Sequence, residues 1–425
     1  MAKADALAHT GSAADSGTRR TEILQTAAAL IASSGLRTSL QEIADAAGIL
    51  PGSLYHHFES KEAILVELMQ RYHDDLNRIG QEAQARLDEP DGRPPGEKIT
   101  ELGTAIANCA VEHQAALQMS FYEGPNADPE LLKRAVEASP IHAAMLQTLR
   151  AGRWSGYIKP DIDLPILADR ICQTMLQVGL DVIRDKASAD QVAGLMCRII
   201  LHGLVARPFT DAALDRSKAF AAASEVIEAW ADDSVADPSD KAAHLRAVAR
   251  AEFGRKGYEV TTIRDIASAA GLGTGTVYRV IGSKDELLDS IMRSFGQKVE
   301  AGWVAVLRSD ATTVEKLDAM SWVNVNALDQ FSDEFRIQLA WMRQSPPTTN
   351  PGWSYATRLR QMKSLLSEGI RSGEIRIETP STAMLARCVI GMQWIPENIL
   401  RDIGTRASLL HARDTVLRGV AVLGK

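Results

Sequence analysis

The chain has 425 residues, of which 45% are hydrophobic and 24% are charged. These proportions are those of an ordinary globular protein and exclude a fibrous or largely disordered chain, and the length favours two domains of roughly 200 residues each. The formal net charge of −7 means that any contact with nucleic acid would depend on a local basic patch and not on the charge of the whole chain.

Two further features of the sequence bear on where the protein acts. No apolar run is long enough to span a membrane, and the N-terminus lacks the apolar core of a signal peptide, so we expect no membrane contact and a cytoplasmic location. The four cysteines are scattered without the spacing of a metal site, and we expect them to be buried, reduced thiols. We therefore predict neither a metal nor a cofactor.

Apolar residues recur at helical spacing through the chain, and no alternating pattern predicts strands, so the fold class is predicted to be all-α. Breaks rich in Gly, Pro and acidic residues divide the helices into segments. The predicted segments are, in chain order, a disordered tail at 1–17, a first head at 18–62, a helical domain at 63–206, a connecting helix and linker at 207–239, a second head at 240–286 and a second helical domain at 287–425.

The first head is predicted to contain three short helices. Ser39 opens the second of them, and Glu42, three residues later, completes a capping box. Gly48 makes the turn to the third helix, which is predicted at about 51–58, and Pro51 suits the first position of that helix. This pattern of two short helices around a glycine is typical of a helix-turn-helix unit.

The second head repeats the first. From Ile43 onward the two segments align without a gap at an offset of 223, which is the difference between Ile266 and Ile43. Thr262 and Asp265 match the capping pair of the first head. Repetition on this scale indicates a duplicated domain and not a short-period solenoid.

Each helical domain is predicted to end in two long apolar helices. These lie near 164–184 and 188–206 in the first half of the chain, and near 380–401 and 405–423 in the second half. A further amphipathic helix is predicted at 211–231, ahead of the acidic linker.

Both heads resemble the helix-turn-helix of the TetR family of bacterial repressors. The first head matches the family pattern at Ile43, Ala44, Ala47, Gly48, Gly52, Leu54, Tyr55, His57, Phe58, Lys61 and Leu65, and the second at Ile266, Ala267, Ala270, Gly271, Gly275, Tyr278, Lys284 and Leu288. The turns at 156–163 and 373–380 resemble the one that precedes the last two helices of the family. The chain is similar to the tandem TetR-type regulators of some actinobacteria, in which two complete units are joined.

The resemblance implies that the third helix of each head enters the major groove of double-stranded DNA. The residues expected at base edges are Pro51, Gly52, Ser53 and His56 in the first head and Thr274, Gly275, Thr276 and Arg279 in the second. The residues expected at phosphates are Tyr55, His57, Lys61, Tyr278 and Lys284, and the capping residues Ser39 and Thr262 complete the predicted DNA-binding set. Arg279 is the strongest candidate for base readout, because a guanidinium can bond guanine through two acceptors.

Some residues of the heads have a structural alternative to contact with DNA. Tyr55 and Tyr278 could equally be half-buried packing residues. Four apolar residues are expected in the cores of the heads, namely Leu54, Phe58, Val277 and Ile281.

The two heads also depart from the family pattern in different ways. Leu50 stands where a Ser or Thr usually caps the recognition helix, and Gly273 takes that place in the second head. Arg279 and the two residues after it replace the usual His-Phe ending. The first head has four basic against five acidic residues, whereas residues 241–286 of the second head have eight against five. We therefore expect the two heads to read different half-sites, so that the operator is asymmetric.

The resemblance also implies a small-molecule effector bound inside a helical domain. The candidate ligand residues are His113, Phe121, Tyr122 and Trp154 in the first half and Trp322, Asn326, Trp341, Trp353, Tyr355 and Trp394 in the second. Aromatic residues at helical spacing are more often core than ligand contacts, which is the alternative for each of them. The apolar lining expected of such a pocket favours a hydrophobic or acyl-type effector.

The helix pairs near the two C-terminal ends are expected to pack on each other within one chain, which would make an intramolecular pseudo-dimer that needs one chain per operator. The leading function is therefore a repressor that a small-molecule effector releases from DNA. The alternatives are an activator or dual regulator of the same fold, and an effector-binding module in which one head no longer binds DNA. We do not expect an enzyme, because the sequence has no nucleophile elbow, phosphate loop, metal-ligand spacing or dinucleotide fingerprint.

Overall fold

The computed structural model describes residues 4–34, 38–87, 92–119, 140–185, 187–232, 240–258, 261–342, 355–379 and 381–422. Regular structure in these ranges is helical, apart from two isolated β-bridges that pair Ile158 with Ala421 and Val205 with Ile375. The prediction of an all-α fold is confirmed.

The first half of the chain contains nine described helices. They are α1 (Ala4–Ser34), α2 (Leu40–Ala46), α3 (Pro51–Tyr55), α4 (Lys61–Leu87), α5 (Pro95–Glu112), α6 (Gln114–Met119), α7 (Pro140–Trp154), α8 (Leu164–Asp185) and α9 (Ala189–His202). Two connecting helices follow, α10 (Asp211–Asp215) and α11 (Lys218–Asp232).

The second half repeats this order in the described ranges. Its helices are α12 (Lys241–Lys256), α13 (Ile263–Ala269), α14 (Thr274–Ile281), α15 (Lys284–Arg308), α16 (Thr313–Gln330), α17 (Ser332–Met342), α18 (Tyr355–Ser372), α19 (Thr382–Met392) and α20 (Glu397–Ala412), followed by a π-helical turn at Arg413–Arg418.

The structure differs from the sequence prediction at three element boundaries. Helix α1 begins at Ala4, so the segment predicted as a disordered tail at 1–17 is helical from that residue onward. The physical reason is composition, since alanine has the highest helix propensity and recurs through this segment. The connecting helix predicted at 211–231 is divided in two, because the Ser217 hydroxyl accepts a hydrogen bond from the Phe220 N–H and starts a new helix.

The third difference lies in the penultimate helix of the second half, predicted at 380–401. It is interrupted between α19 and α20. Pro396 occupies the N-terminal cap of α20, and a proline there cannot donate the backbone hydrogen bond that would continue the preceding helix. In the first half, α8 runs through the corresponding region unbroken.

Helices α4 and α15 hold matching positions and carry the same buried stripe. The buried residues of α4 are Ile64, Leu68, Tyr72, Leu76 and Gly80, and the residues 223 positions later are Leu287, Ile291, Phe295, Val299 and Trp303, all buried. The last matched pair, Gly80 and Trp303, differs most in side-chain size. A Cβ on Gly80 would lie 2.8 Å from the Pro140 carbonyl carbon, so α7 approaches α4 closely only because this residue is glycine.

In the second half, Trp303 replaces that glycine and the connecting helix α11 packs along α15 and α16. The Phe220 ring stacks on Trp322 with 5.5 Å between centroids, and the Trp322 indole N–H donates to the Ser224 hydroxyl at 3.3 Å. A helix from the connection between the halves thus packs on α15 and α16, while Arg358 at the start of α18 lies over the Trp303 ring.

The two halves meet at an interface built from the ends of α8 and α9 in the first half and of α19, α20 and the π-helical turn in the second. Eight backbone hydrogen bonds at this interface form four pairs that exchange the roles of the two halves. In the first pair, Leu204 N donates to Val416 O and Val420 N donates to Ile200 O; in the second, Val205 N donates to Leu417 O and Ala421 N to Leu201 O. In the third pair, Ala206 N donates to Glu374 O and Val422 N to Tyr157 O; in the fourth, Arg376 N donates to Leu204 O and Lys159 N to Val420 O. We call this reciprocal set the inter-half interface.

Two glycines allow the backbones to cross at this interface. Gly203 and Gly419 have φ angles of +72° and +73°, a conformation that side chains disfavour. A Cβ on Gly203 would lie 2.6 Å from the Gly419 nitrogen, and a Cβ on Gly419 would lie 2.5 Å from the Gly203 nitrogen. Neither position has room for a side chain.

An ion-pair cluster ties the connecting helix α10 to the second half. The fully buried Arg413 guanidinium donates to both carboxylate oxygens of Asp318 at 2.8 Å and to Asp215 at 2.7 Å. Arg406 also donates to Asp215, at 2.8 Å, and Arg418 donates to Asp211 at 2.5 Å. Burial opposes the charge on Arg413, but its bonds to Asp318 outweigh that effect and raise its pKa, so Arg413 remains a cation at neutral pH. Burial also raises the pKa of Asp318, and the bonds from Arg413 oppose that rise.

Candidate nucleic-acid interface

The first head is a small helical unit whose turn is fixed by capping. Ser39 caps α2, since its hydroxyl accepts from the Glu42 N–H at 3.2 Å while the Glu42 carboxylate accepts from the Ser39 N–H at 2.6 Å. These bonds lower the pKa of Glu42 and keep it ionised. Gly48 takes a φ of +66° in the turn, and Leu54 and Phe58 are buried beneath α3 as predicted. The head therefore presents α3 on a fixed platform.

The exposed surface of α3 carries most of the residues predicted to contact DNA. Gly52, Ser53 and His56 are exposed, and Pro51 and His57 are partly buried. Tyr55 leaves 55% of its surface open, which is more than a packing residue would.

The second head has the same construction with a longer recognition helix. Thr262 caps α13, as its hydroxyl accepts from the Asp265 N–H at 3.1 Å and its own N–H donates to the Asp265 carboxylate at 2.7 Å. Helix α14 has eight residues where α3 has five, and it ends at Gly282 with a φ of +71°. Val277 is buried as predicted, whereas Ile281 is only partly buried.

The exposed face of α14 carries Thr274, Gly275 and Arg279, while Thr276 is partly buried. Tyr278 is 58% exposed, which matches Tyr55 in the first head. Arg279 makes no hydrogen bond or ion pair with any residue that the structure describes, so its guanidinium is available to an external acceptor.

The two lysines predicted at phosphates are both partly buried, and one of them bonds the head itself. The Lys284 ammonium donates to the backbone carbonyls of Tyr258 at 2.6 Å and Thr261 at 2.8 Å, and it lies 4.2 Å from the centroid of the Tyr258 ring. Two of its three N–H donors therefore hold the loop before α13 in place. Lys61 is partly buried, and desolvation lowers its pKa. Lys284 therefore serves the structure of the second head, and contact of either lysine with a phosphate stays a prediction.

The two heads differ in whether particular basic side chains are paired with acidic ones. In the first head Arg19 pairs with Glu22 at 2.7 Å, and Arg20 pairs with Glu67. In the second head Arg264, on the first turn of α13, is exposed and has no hydrogen bond or ion pair to a described residue. The sequence prediction omitted Arg264. The signal for it was the basic residue two positions after the Thr262 cap, at the start of the helix that leads into the turn.

The predicted ligand residues of the first half do not share a cavity. The His113 ring is bonded to the Asp75 carboxylate at 2.8 Å and lies 5.5 Å from the Tyr72 ring centroid, which makes it part of the core. Trp154 is 91% exposed at the end of α7, so the prediction that it lines an interior pocket is wrong. The helix ends there and turns the indole to the surface. Phe121 and Tyr122 lie outside the described residues.

The described members of the predicted ligand set in the second half pack within its core, where Trp322 and Trp394 adjoin the same small cluster of buried side chains. Asn326 donates to the Trp322 carbonyl at 2.8 Å, and the Trp394 ring stacks on Phe335 with 4.6 Å between centroids. Tyr355 is partly buried at the start of α18. Trp341 lies in α17 with its side chain outside the description, and Trp353 lies outside the described residues. Stacking and hydrogen bonds within the protein account for the described ones.

A cleft that the sequence did not indicate lies between α4 and α5. Its volume is about 60 Å³, which is less than a drug-sized ligand needs, and Arg86, Arg93 and Glu101 form part of its wall. None of the predicted ligand residues borders it.

A second feature missed by the sequence analysis is a buried polar group in the second half. The Trp303 indole N–H donates to the Asn324 side-chain oxygen at 3.0 Å, and the Asn324 amide nitrogen has no partner among the described residues. The Arg358 guanidinium is buried 5.2 Å from the Trp303 ring centroid, with its Nε 3.6 Å from Glu300. Burial lowers the pKa of Arg358 to about 10, so it remains a cation at neutral pH.

The remaining expectations concern cysteines, metals and membranes. All four cysteines are free and buried, as predicted, and burial raises the pKa of Cys197 to about 12. Across the described ranges, no set of three or more His, Cys, Asp or Glu side chains is placed to hold a metal ion. No helix in the part of the chain covered by the structure has the length and apolar character needed to cross a membrane.

Comparison with known proteins gives matches at both heads. The profile of the family described as "Bacterial regulatory proteins, tetR family" matches residues 23–68 and 245–291. The HTH-type transcriptional repressor KstR2 of Rhodococcus jostii is 34% identical over 193 residues, a match that covers 44% of this chain and 91% of that repressor. KstR2 of Mycolicibacterium smegmatis is 33% identical over 194 residues, covering 44% of this chain and 90% of the relative.

Similar solved structures also correspond to less than half of the chain. KstR2 of Mycobacterium tuberculosis, described as a ketosteroid transcriptional regulator, is 29% identical and matches 41% of this chain and 89% of its own, with a TM-score of 0.33. The probable transcriptional regulatory protein RHA5900 is 30% identical and matches 43% of this chain and 96% of its own, with a TM-score of 0.35. Each relative is thus about as long as one half of this chain.

Proposed function

This chain belongs to the TetR family of bacterial regulatory proteins, and we propose on that premise that it is a transcriptional repressor that occupies its operator as a single chain and leaves when an effector binds. Its relatives are DNA-binding transcriptional regulators, and those most similar in sequence are named as repressors. The observation that carries the proposal is the presence of two capped helix-turn-helix heads in one polypeptide whose halves bond reciprocally.

The inter-half interface supports an intramolecular pseudo-dimer. Regulators of DNA commonly bind as symmetric dimers, in which one patch of each subunit meets the same patch of the other. Here the four exchanged pairs of backbone bonds reproduce that relation between halves of one chain. Covalent connection raises the effective concentration of one half near the other to roughly millimolar, so the internal pairing competes well against pairing between chains.

The recognition helices support an asymmetric operator. Their exposed residues differ at matching places, with His56 against Arg279 and Pro51 against Thr274. An arginine prefers the two acceptors of guanine, which a histidine does not reproduce in the same way. Each head is therefore proposed to select its own half-site.

The effector is proposed to be hydrophobic or acyl-type and to act through a helical domain. An apolar ligand would meet side chains of matching character in the first half, where the buried face of α5 carries Ile99, Leu102 and Ile106. Binding would have to favour a head spacing that DNA does not accept, since a ligand shifts an equilibrium only through its different affinity for the two states.

The test is a footprint on the DNA upstream of the gene for this protein, with the mass of the complex measured by light scattering at several salt concentrations. One chain per footprint is expected. Arg264→Ala should reduce the slope of log affinity against log salt by about 1 if this cation neutralises one phosphate, whereas Arg279→Ala should relax the base preference in the half-site of the second head. Arg401→Ala removes an exposed charge on α20, outside both heads, and should leave the slope unchanged. A DNA-competent species that contains only two chains would contradict the proposal.

The pairing of cations in the first head favours one second candidate, in which only the second head contributes to affinity. Arg19 and Arg20 are engaged with acidic side chains, whereas Arg264 and Arg279 are not. Two double variants distinguish this candidate from a protein with two working heads. One carries alanine at Ser53 and Tyr55 of the first head, the other carries alanine at Thr276 and Tyr278 of the second, and the affinity of each for the operator is measured. Equal losses of affinity support two working heads, and a loss confined to the second pair supports one.

A further inference from the structure

Leu50 is a large apolar side chain that the first head leaves in solvent. It is 76% exposed, while its neighbour Ile49 packs against the core of the head. Its backbone is fixed at the N-terminal cap of α3, where its carbonyl accepts from the N–H groups of Ser53 at 2.9 Å and Leu54 at 3.2 Å. The side chain contributes neither to the core nor to the cap.

Neither folding nor capping accounts for a leucine at this position. Ser, Thr, Asn and Asp are favoured at an N-terminal cap because their side chains bond the free N–H groups of the first turn, and leucine cannot do so. An exposed leucine also forgoes the free energy of burial. The residue is placed instead at the start of the helix that enters the major groove, where the first turns of a recognition helix approach base edges.

We propose that Leu50 is a specificity-determining residue that packs against the 5-methyl group of a thymine in the half-site of the first head. That methyl group is the apolar feature of the major-groove edge, and adenine, guanine and unmodified cytosine lack it. Gly52 and Ser53 follow at once and are small and exposed, so they do not keep the start of the helix away from the groove.

The second head has no counterpart for this contact. Gly273 occupies the cap of α14, with backbone angles of −75° and 145° that match the −71° and 145° of Leu50. The two caps thus share one backbone geometry and differ by one apolar side chain. The preference for a thymine at this place should accordingly belong to one half-site only.

The inference rests on the proposed binding of DNA by the first head, and its experiment distinguishes the two. An oligonucleotide selected by the wild-type protein is synthesised with each thymine in turn replaced by uracil, which removes only the methyl group. The half-site of the first head is the one still protected by a chain that carries Arg264→Ala and Arg279→Ala. One uracil in that half-site should weaken binding about fourfold, the value of one buried methyl-sized group.

Two variants of Leu50 complete the experiment. Leu50→Ala should bind thymine and uracil oligonucleotides equally. Leu50→Ser supplies the missing cap and should fold at least as well as the wild type, yet it should also lose the distinction, so that a general defect of the head is separated from loss of readout. Gly273→Ala is the matched control and should keep the full fourfold effect.

The outcomes separate cleanly. If the protein binds its selected site but no uracil in the first half-site weakens it, or if Leu50→Ala retains the effect, the role of Leu50 is wrong and the repressor function stands. A protein that selects no DNA at all overturns both.

Discussion

The two halves of the molecule have the same order of helices but differ in the side chains and helices that pack between them. Along α4 and α15 the buried stripes match residue by residue until Gly80, whose place is taken by Trp303. In the first half the glycine admits α7 against α4, and in the second the indole stands there and α11 packs along the helix. The two halves thus keep the register of this buried stripe, while the size of one residue in it and the helices packed along it differ.

The same contrast holds for polarity inside the two halves. Helices α5 and α16 are both 18 residues long, and Ile106 of the first matches Asn324 of the second. Alignment of Gly152 with Gly369 matches Ile141 to Arg358 and Ala144 to Gln361. Apolar residues in one half thus correspond to polar ones in the other. Buried polar groups without partners cost stability, so the second interior is expected to be the less stable of the two.

The largest effect is expected at the inter-half interface. Gly419→Ala should lower the free energy of unfolding by about 3–5 kcal/mol, because it adds left-handed strain to a collision with the backbone of Gly203. Urea unfolding measures the loss. Gly156→Ala is the matched control, with a φ of +75° and no atom within 4 Å of the new Cβ, and should cost only about 1–2 kcal/mol. If Gly419→Ala and Gly156→Ala lower the free energy of unfolding equally, the close crossing of the two backbones does not add to the cost of the substitution.

A smaller effect is expected in the polar interior of the second half. Asn324→Leu should cost about 1–3 kcal/mol in the same assay, because it leaves the buried Trp303 N–H without its acceptor. In a Trp303→Phe background no N–H is present, and the same substitution should cost about 1 kcal/mol less. If the two losses are the same, the indole hydrogen bond does not stabilise this interior.

The connecting cluster should make stability depend on pH. Hydrogen bonds from Arg406 and then Arg413 lower the pKa of Asp215 from 3.8 to about 2. A carboxyl whose pKa is lower in the folded state stabilises the protein above pH 4, and this contribution is lost as the pH falls from about 4 to 2.

Asp215→Asn should accordingly lower stability by about 1–2 kcal/mol at pH 7 and by almost nothing near pH 2. Solvent screens the carboxylate, which is 31% exposed, and keeps this loss below that of a fully buried pair. Asp161→Asn removes an exposed carboxylate outside the cluster and is the control. A constant difference between wild type and Asp215→Asn over this range would count against the ion pairs.

The smallest effect compares the caps of the recognition helices. Leu50→Ser should raise the free energy of unfolding by about 1 kcal/mol, because serine can bond the free N–H groups at the start of α3. Gly273→Ser should gain only a few tenths of a kcal/mol, since glycine is already tolerated at a cap. Thermal unfolding of the two variants side by side measures the difference, and a larger gain at Gly273 would reverse the interpretation.

Local features of the heads could be predicted from the sequence because they depend on residues three or four apart. The capping pairs Ser39–Glu42 and Thr262–Asp265, the turn at Gly48 and the uncapped Leu50 all follow from local spacing. The residues that contact DNA stay a prediction, although the structure exposes most of them.

Features that depend on distant segments could not be read in this way. Helical periodicity identifies the buried face of α15 but does not say whether α11 or α18 lies against it. Nor does it reveal that Lys284 bonds carbonyls more than twenty residues away, or that Gly203 meets Gly419. Trp154 was mistaken for an interior residue because residue type alone does not report exposure.

The crossing of Gly203 and Gly419 has a genetic consequence. In a dimer of identical subunits, a mutation in one codon alters both sides of the interface. A defective subunit can also inactivate a normal one by forming a mixed dimer with it. Here the two sides are encoded by different codons of one reading frame, so each can change in sequence without the other. Arg413 in the second half already differs from Cys197, the residue that occupies the matching position of the first half. A mutant allele of this regulator should therefore be recessive where a homodimer would show dominance.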